Sequence, residues 1–232
     1  MRTILTLILT TLIAFISQFA TAQVNQGGIP PSFSLYSLSN VVNTIVLARP
    51  DIIRPESLFR DKGVEPPEVG PVIPVNISLT EEGTWTQLPG GNRICRLRIK
   101  SEGALAMAIY YNSFSMPEEG ELFIYNSSES FVLGAYTAAN NIDGGSFATE
   151  MVPGEELILE YHDNGEALFP SIEISGILYA HQNVTFLEDH EREFNDSGFC
   201  EVNVNCIEGA NWQREKRGVA RILLKVNGTG YW

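Results

Sequence analysis

The hydrophobic positions of residues 91–186 follow the two-residue period of β-strands and show no helical period. Short segments alternate between apolar and polar side chains or run continuously apolar, and turn residues such as Pro153-Gly154 separate them. Strands at this regular spacing predict an all-β fold, with residues 91–186 forming an antiparallel β-sandwich. The predicted strands are Arg93–Ile99, Ala104–Tyr111, Glu121–Tyr125, Ser130–Thr137, Phe147–Val152, Glu155–Tyr161 and Ile172–Ala180.

The segments on either side of this sandwich have different patterns. Residues 23–90 contain nine of the twelve prolines. Because proline fixes φ and removes a donor, this segment is expected to be extended, poor in ladder pairing and packed on the sandwich. Short strands are predicted there at Asn43–Ala48 and Val72–Leu79. Residues 187–199 are charged and lack a strand pattern, which predicts an exposed linker with Arg192 as its one basic residue.

The first 22 residues predict a secretory signal peptide. A basic start at Arg2 precedes an apolar stretch from Ile4 to Ile16, and small residues precede a cleavage site between Ala22 and Gln23. An uncleaved membrane anchor is the alternative. No later segment is long and apolar enough to span a bilayer. The mature product is therefore expected to be secreted to the extracellular space, with the periplasm and the outer surface as alternatives.

Charge is distributed unevenly along the chain, whose net charge is −13. Residues 23–199 hold 9 basic against 25 acidic residues, a net of −16, and residues 200–232 hold 5 against 3, a net of +2. An acidic body of this kind argues against nucleic acid as a partner. No Lys or Arg occurs between Lys100 and Arg192. That stretch offers no peptide bond to a protease that cleaves after basic residues.

Three cysteines occur in the chain. Cys95 occupies an alternating strand position and is expected to be a small buried residue. Cys200 and Cys206 lack the spacing and neighbours of a metal site. They pair either with each other or, as we favour, with cysteines beyond Trp232.

A search for catalytic chemistry finds no site. His190-Glu191 does not continue into H-E-x-x-H, and no serine lies in a G-x-S-x-G element. Asp143 with Asn140 and Asn141 is typical of a turn more than of a calcium site. No catalytic, cofactor-binding or metal-ligating residue is assigned.

Residues 200–232 have the pattern of an incomplete domain. A basic turn at Lys216–Gly218 precedes an apolar run from Val219 to Val226, and a Gly-Thr-Gly turn leads to Tyr231. A strand of this kind needs partner strands, and none is predicted after it. This segment is therefore expected to be the start of a further domain.

The segment from Ser197 to Leu224 resembles the mature N-terminus of secreted bacterial trypsin-like serine endopeptidases of the lysyl endopeptidase group. The matching positions are Cys200, Asn203, Cys206, Glu208-Gly209 and Arg217–Ala220, whereas Ile207 stands where the group tends to have proline. The resemblance is confined to residues 200–232 and their immediate approach.

The resemblance implies a precursor with a signal peptide, a propeptide and a protease that cleaves protein or peptide substrates after basic residues. Val219–Val226 would be the incomplete first strand of a chymotrypsin-like barrel, and Cys200 and Cys206 would form disulfides with later cysteines. The triad would lie beyond Trp232, so residues 1–232 are expected to be inactive. The propeptide would contact the protease within the precursor, assisting its folding or restraining its activity.

Two alternatives remain open. Arg192 is the predicted site of propeptide release, but a strictly lysine-specific enzyme would need a different processing protease. The chain as a whole is alternatively a secreted β-sandwich binding or adhesion module without enzymatic activity. That alternative fits the absence of catalytic residues, yet it gives no reason for Cys200 and Cys206.

Overall fold

A computed structural model of the chain describes residues 26–34, 38–52, 68–142, 144–163, 169–182, 211 and 222–231. This part is mostly β, as the sequence predicts, with two one-turn helices, α1 (Pro31–Ser34) and α2 (Leu79–Glu82). Its strands are β1 (Asn43–Leu47), β2 (Glu68–Ser78), β3 (Thr84–Gln87), β4 (Arg93–Ser101), β5 (Ala106–Ser115), β6 (Glu121–Asn126), β7 (Val132–Tyr136), β8 (Phe147–Ala148), β9 (Val152–Pro153), β10 (Glu156–Asp163), β11 (Ser171–Ala180), β12 (Leu224–Val226) and β13 (Thr229–Tyr231).

The first sheet has the strand order β1-β4-β10-β6-β7. One edge of β4 is shared by two strands. The short β3 pairs antiparallel with Arg93–Arg96 of β4, and β1 pairs parallel with Leu97–Ser101. The pairs β4–β10, β10–β6 and β6–β7 are antiparallel. β4 is thus flanked by strands on both sides along its whole length.

The second sheet has the order β12-β13-β2-β11-β5-β8, and β9 also pairs with β5. Its 11-residue β2 lies between β13 and β11. This differs from the expectation that the proline-rich segment is poor in ladder pairing. Pro74 lies opposite Gly176, where a bulge interrupts the β2–β11 register, and Pro71 pairs with Thr229 of the three-residue β13, whose register with β2 shifts after Gly230. Irregular positions of this kind tolerate a missing backbone donor, which explains why β2 accommodates both prolines.

One core joins the two sheets. Alternate residues of both sheets point into it, including the fully buried Leu97 and Leu159 of the first sheet and Ile109 and Ile177 of the second. Cys95 shares this face, is fully buried, and donates a hydrogen bond from Sγ to the Leu79 carbonyl oxygen at 3.3 Å. The prediction of a small buried cysteine is confirmed.

The seven strands predicted in residues 91–186 all contain observed strand residues, with one change of detail. Phe147–Val152 is not one strand but the two-residue strands β8 and β9, which pair with different parts of β5. Among the described residues, no helix is long and apolar enough to cross a membrane.

Candidate docking site of the C-terminal hairpin

The residues that the sequence assigned to processing and cross-linking lie outside the described part of the chain. These are the signal-cleavage residues Ala22 and Gln23, the release site Arg192, and the half-cystines Cys200 and Cys206. Their assignments stay predictions. The end of the C-terminal segment 200–232 is described, and it contacts the acidic body (residues 23–199).

Residues 222–231 end in a β-hairpin made of β12 and β13. Asn227 and Gly228 join the two strands, with φ values of +49° and +81°. Positive φ at both central residues is the geometry of a tight hairpin turn, and Asn-Gly is the dipeptide that most favours it. The sequence prediction placed the turn at Gly228–Gly230 and missed the hairpin. The Asn227-Gly228 pair is the feature that identifies it.

The hairpin pairs with the body through β13. Thr229 pairs with Pro71 and Gly230 with Gly70, and the Val72 amide donates to the Gly228 carbonyl oxygen at 2.6 Å. The described end of the predicted strand Val219–Val226 is β12, and it has a partner after it, because β12 pairs with β13. β13 in turn pairs with β2 in the N-terminal part of the chain. An added strand of this kind satisfies the backbone groups of an otherwise open sheet edge.

Side chains of the hairpin also cover the outer face of the second sheet. The face is built from small and apolar residues that alternate with the core positions, namely Val69, Ala106, Ala108, Met151, Leu178 and Ala180, all buried. Leu223 packs against this group, and Tyr231 is only 6% exposed. A methyl group added at Gly230 would lie 2.6 Å from Leu178 Cδ1. The hairpin thus approaches the sheet closely because a glycine faces it.

A single cation of the hairpin lies over an aromatic ring of the body. The ammonium nitrogen of Lys225 is 4.7 Å from the centroid of the Tyr110 ring. Burial raises the pKa of the Tyr110 hydroxyl, so that this ring stays neutral at physiological pH. The contact places a positive charge of the +2 tail on the acidic body.

A second chain segment covers the first sheet. We call residues 26–34 the strap. The Gln26 amide donates to the Ala135 carbonyl oxygen at 3.0 Å, and the Ala135 amide donates to Gly27 at 2.8 Å. Phe33 packs edge-on against Tyr125 with ring centroids 4.8 Å apart. The strap therefore extends the edge of β7 and lies over the outer face of the sheet.

A buried carboxylate fastens the strap. Glu160 on β10 is fully buried and accepts hydrogen bonds from the Ser32 amide at 3.0 Å, from the Ser32 hydroxyl, and from the Tyr125 hydroxyl at 2.9 Å. Arg96 is its cross-strand neighbour and donates to the Ser39 carbonyl oxygen at 2.6 Å. Buried charged groups are stable only when such partners satisfy them. Sequence reasoning missed Glu160 because its alternating position predicts a solvent-facing side chain.

The residues considered for metal or acid–base chemistry are not brought together. His162 lies on β10 of the first sheet, 3.9 Å from Glu121 Oε2, whereas His181 follows β11 of the second sheet. Asn141 Oδ1 accepts from the Met116 amide, and Asn140 Oδ1 accepts from Thr137. These amides stabilise turns, while Asp143 and His190 lie outside the described residues. Within the described ranges, no group of three His, Cys, Asp or Glu residues could hold a metal ion.

An ion pair closes one end of the first sheet. Arg93 donates to Asp163 through Nε at 3.0 Å and Nη2 at 2.7 Å, and its guanidinium lies over Trp85 and Phe169. Both hydrogen-bonding edges of the carboxylate are engaged, and the aromatic rings enclose the cation. The arrangement stabilises the sheet end.

No protein-family model matches the chain, and no solved structure matches it.

Proposed function

We propose that the chain is the N-terminal part of a secreted serine endopeptidase precursor. Residues 23–199 would form a β-sandwich prodomain, and the segment from Cys200 would open a trypsin-like protease domain that cleaves after basic residues. The observation that carries this proposal is the docking of the hairpin, since the end of the protease-like segment is held by the N-terminal body. A contact of this kind is what the proposal expects between a prodomain and the protease that follows it.

The placement of basic residues supports a prodomain that withstands such a protease. Four of its described bases, Arg93, Arg96, Arg98 and Lys100, lie on β4, which has neighbours on both sides. Cleavage after any of them requires the strand to leave the sheet, because a protease binds its substrate as an extended chain. Residues 101–191 contain no basic residue at all. Arg192 follows this protected region immediately.

Maturation of the full-length precursor tests the proposal. We expect the secreted wild-type protein to be cut after Arg192, so that the mature chain begins at Glu193, seven residues before Cys200, as read by intact-mass and N-terminal analysis. Arg192→Ala should block this cut, whereas Arg49→Ala, which changes a base in the body, should leave it in place. Unchanged maturation of the Arg192→Ala precursor would refute release at that bond.

The sequence encoded after Trp232 tests the enzyme class. A serine protease of this group requires a cysteine shortly after Trp232 and then a histidine in a T-A-x-H-C-like stretch. An active precursor should label with a serine-directed phosphonate probe after maturation. A reading frame without these elements would leave no place for the triad and would reject the protease.

The second candidate function is a secreted binding or adhesion module. One observation favours it: the hairpin is integrated in the second sheet, and Tyr231 is as buried as the core of the body. Residues 222–231 would then be the last strands of a single fold. This candidate predicts no cut at Arg192 and no triad in the remaining gene, so the same two experiments separate it from the protease.

A further inference from the structure

The edge of β2 from Glu68 to Val72 needs the hairpin as a cover. Val69 is fully buried, Gly70 pairs with Gly230 of β13, and the Val72 amide donates to the Gly228 carbonyl oxygen in the hairpin turn. Without β13, this edge would present unpaired backbone groups beside an apolar surface. We call this edge, together with Ala106, Ala108, Leu178 and Ala180, the docking surface.

The contacts that hold the hairpin do not depend on the chain that connects it to the body. Backbone pairing, the close approach of Gly230 to Leu178 and the contact of Lys225 with Tyr110 all join residues 222–231 directly to the docking surface. The tail carries a net charge of +2 and the body −16. Opposite charge favours association of the two parts after a cut.

In the docked hairpin, the inner strand β13 is paired along both of its edges. β13 has β12 on one side and β2 on the other, so both of its backbone edges are engaged. However, Ile222, two residues before β12, is 66% exposed, and Leu224 of β12 is 45% exposed. Docking therefore pairs both backbone edges of β13 but leaves some apolar side chains of residues 222–231 exposed.

We propose that the docking surface is a noncovalent binding site for the hairpin of residues 222–231, and that it keeps the hairpin after the connecting chain is cut. The inference rests on the proposed function for its biological setting, in which the cut occurs at Arg192. The released body would then remain bound to the protease and would withhold β13 from other strands. Maturation would require displacement of the body as well as cleavage.

An engineered cut tests the binding site. A recognition sequence for a site-specific protease is inserted within residues 187–199 of the full chain, which is cleaved and passed over a size-exclusion column under reducing conditions. We expect the C-terminal fragment to elute with the body. Gly230→Val should weaken the complex at least about tenfold, because its side chain collides with Leu178. Thr229→Val, a shape-preserving change in the same strand, should leave the fragment bound.

Separation of the wild-type fragment, or equal retention of Gly230→Val, would overturn the proposal. Both changes lie in the hairpin, so the sequence of the body is the same in the two variants. The result is independent of the Arg192 experiment: fragments that separate while Arg192→Ala blocks maturation refute the binding site alone. Retained fragments with unchanged maturation of Arg192→Ala refute the proposed release alone.

A cross-link gives a second measurement of the same contact. Thr229 and Pro71 are register partners on adjacent strands, which lie about 5 Å apart, within reach of a disulfide. Pro71→Cys with Thr229→Cys should yield a disulfide-linked peptide pair in mass spectrometry. Leu224 is two strands from β2, about 10 Å away, so Pro71→Cys with Leu224→Cys should not. Equal cross-linking of the two pairs would contradict the docked geometry.

Discussion

The strap and the hairpin cover the outer faces of the two sheets by different means. The strap is fastened to the first sheet by hydrogen bonds that converge on the buried Glu160. The hairpin is fastened to the second sheet by backbone pairing with β2 and by contact with a face of small apolar residues. One attachment depends on a buried charge, and the other depends on shape and apolar area.

This difference predicts that the strap and the hairpin respond differently to the loss of individual side chains. A buried carboxylate is stable only while its hydrogen-bonding partners are present. Removal of the carboxylate or of one partner leaves the remaining buried polar groups without hydrogen bonds, which lowers the free energy of unfolding. Apolar contacts lose stability roughly in proportion to the area removed. The strap should therefore detach as a unit, whereas the hairpin should weaken in steps. The following predictions test this contrast, from the largest effect to the smallest.

Alkaline pH should destabilise the folded state more strongly than any of the substitutions below. Burial raises the pKa of Cys95 to about 12, and it raises the pKa values of Tyr125, Tyr136 and Tyr161 in the first sheet and of Tyr111 in the second. The folded state holds these protons more tightly than the unfolded chain, so stability is intact below pH 9 and is lost as the pH rises. Each group should remove about 1.4 kcal/mol per pH unit above its ordinary pKa. Urea unfolding followed by circular dichroism between pH 8 and 12 measures this loss.

Cys95→Ala is the control for the alkaline loss, because it removes one of the ionising groups. Its stability should decline less steeply between pH 9 and 12, by about 1.4 kcal/mol per pH unit. If the free energy of unfolding fell with pH at the same rate in the two proteins, ionisation of the buried Cys95 thiol would not contribute to the alkaline loss of stability.

Glu160→Ala should release the strap. The change removes the acceptor of three hydrogen bonds from Ser32 and Tyr125 and should lower the free energy of unfolding by about 3 kcal/mol or more. Urea unfolding monitored by tryptophan fluorescence measures the loss, and hydrogen exchange at Ala135 reports detachment. Glu156→Ala removes a partly exposed carboxylate of the same strand and should cost at most about 1 kcal/mol. Similar losses in both variants would contradict a specific fastening by Glu160.

Tyr231→Ala should loosen the hairpin and leave the first sheet in place. Loss of this buried ring should cost about 2 kcal/mol and speed hydrogen exchange in β13 and at Val72, but not in β10. Leu224→Ala, on the exposed side of the same hairpin, should cost less than about 1 kcal/mol. Faster exchange in β10 would indicate that the two attachments are coupled.

Lys225→Met should have the smallest effect. The methionine keeps an apolar stem and removes only the attraction between the ammonium group and the Tyr110 ring, worth about 0.5 kcal/mol. A double-mutant cycle with Tyr110→Leu isolates this energy. A coupling energy near zero would show that the hairpin is held without help from this charge.

The sequence predicted the strands of the body well because apolar and polar side chains alternate along them in step with burial. Residues Arg93–Ile99 and Glu155–Tyr161 place apolar side chains at every second position, and both are core strands of the structure. Pattern also identified Cys95 as buried. Local periodicity is sufficient wherever the two faces of a strand have different environments.

The two attachments escaped prediction because each depends on residues far apart in the chain. Glu160 has the polar character of an exposed residue, and only the strap, 128 residues away at Ser32, makes it buried. The hairpin had a local signature in Asn227-Gly228, and a strand was predicted at Val72–Leu79. Neither segment indicates locally that β13 pairs with the preceding residues Glu68–Pro71 of β2. Neither pairing can be read from spacing along the sequence.

The pairing of β13 with β2 also sets the order in which the second sheet can assemble. About 160 residues separate Gly70 from Gly230, and contacts so distant in sequence form slowly because a long loop must close first. During synthesis from the N-terminus, β2 must wait with one edge open until residue 231 has emerged. The open edge of β2 is therefore covered by a strand that is made about 160 residues later.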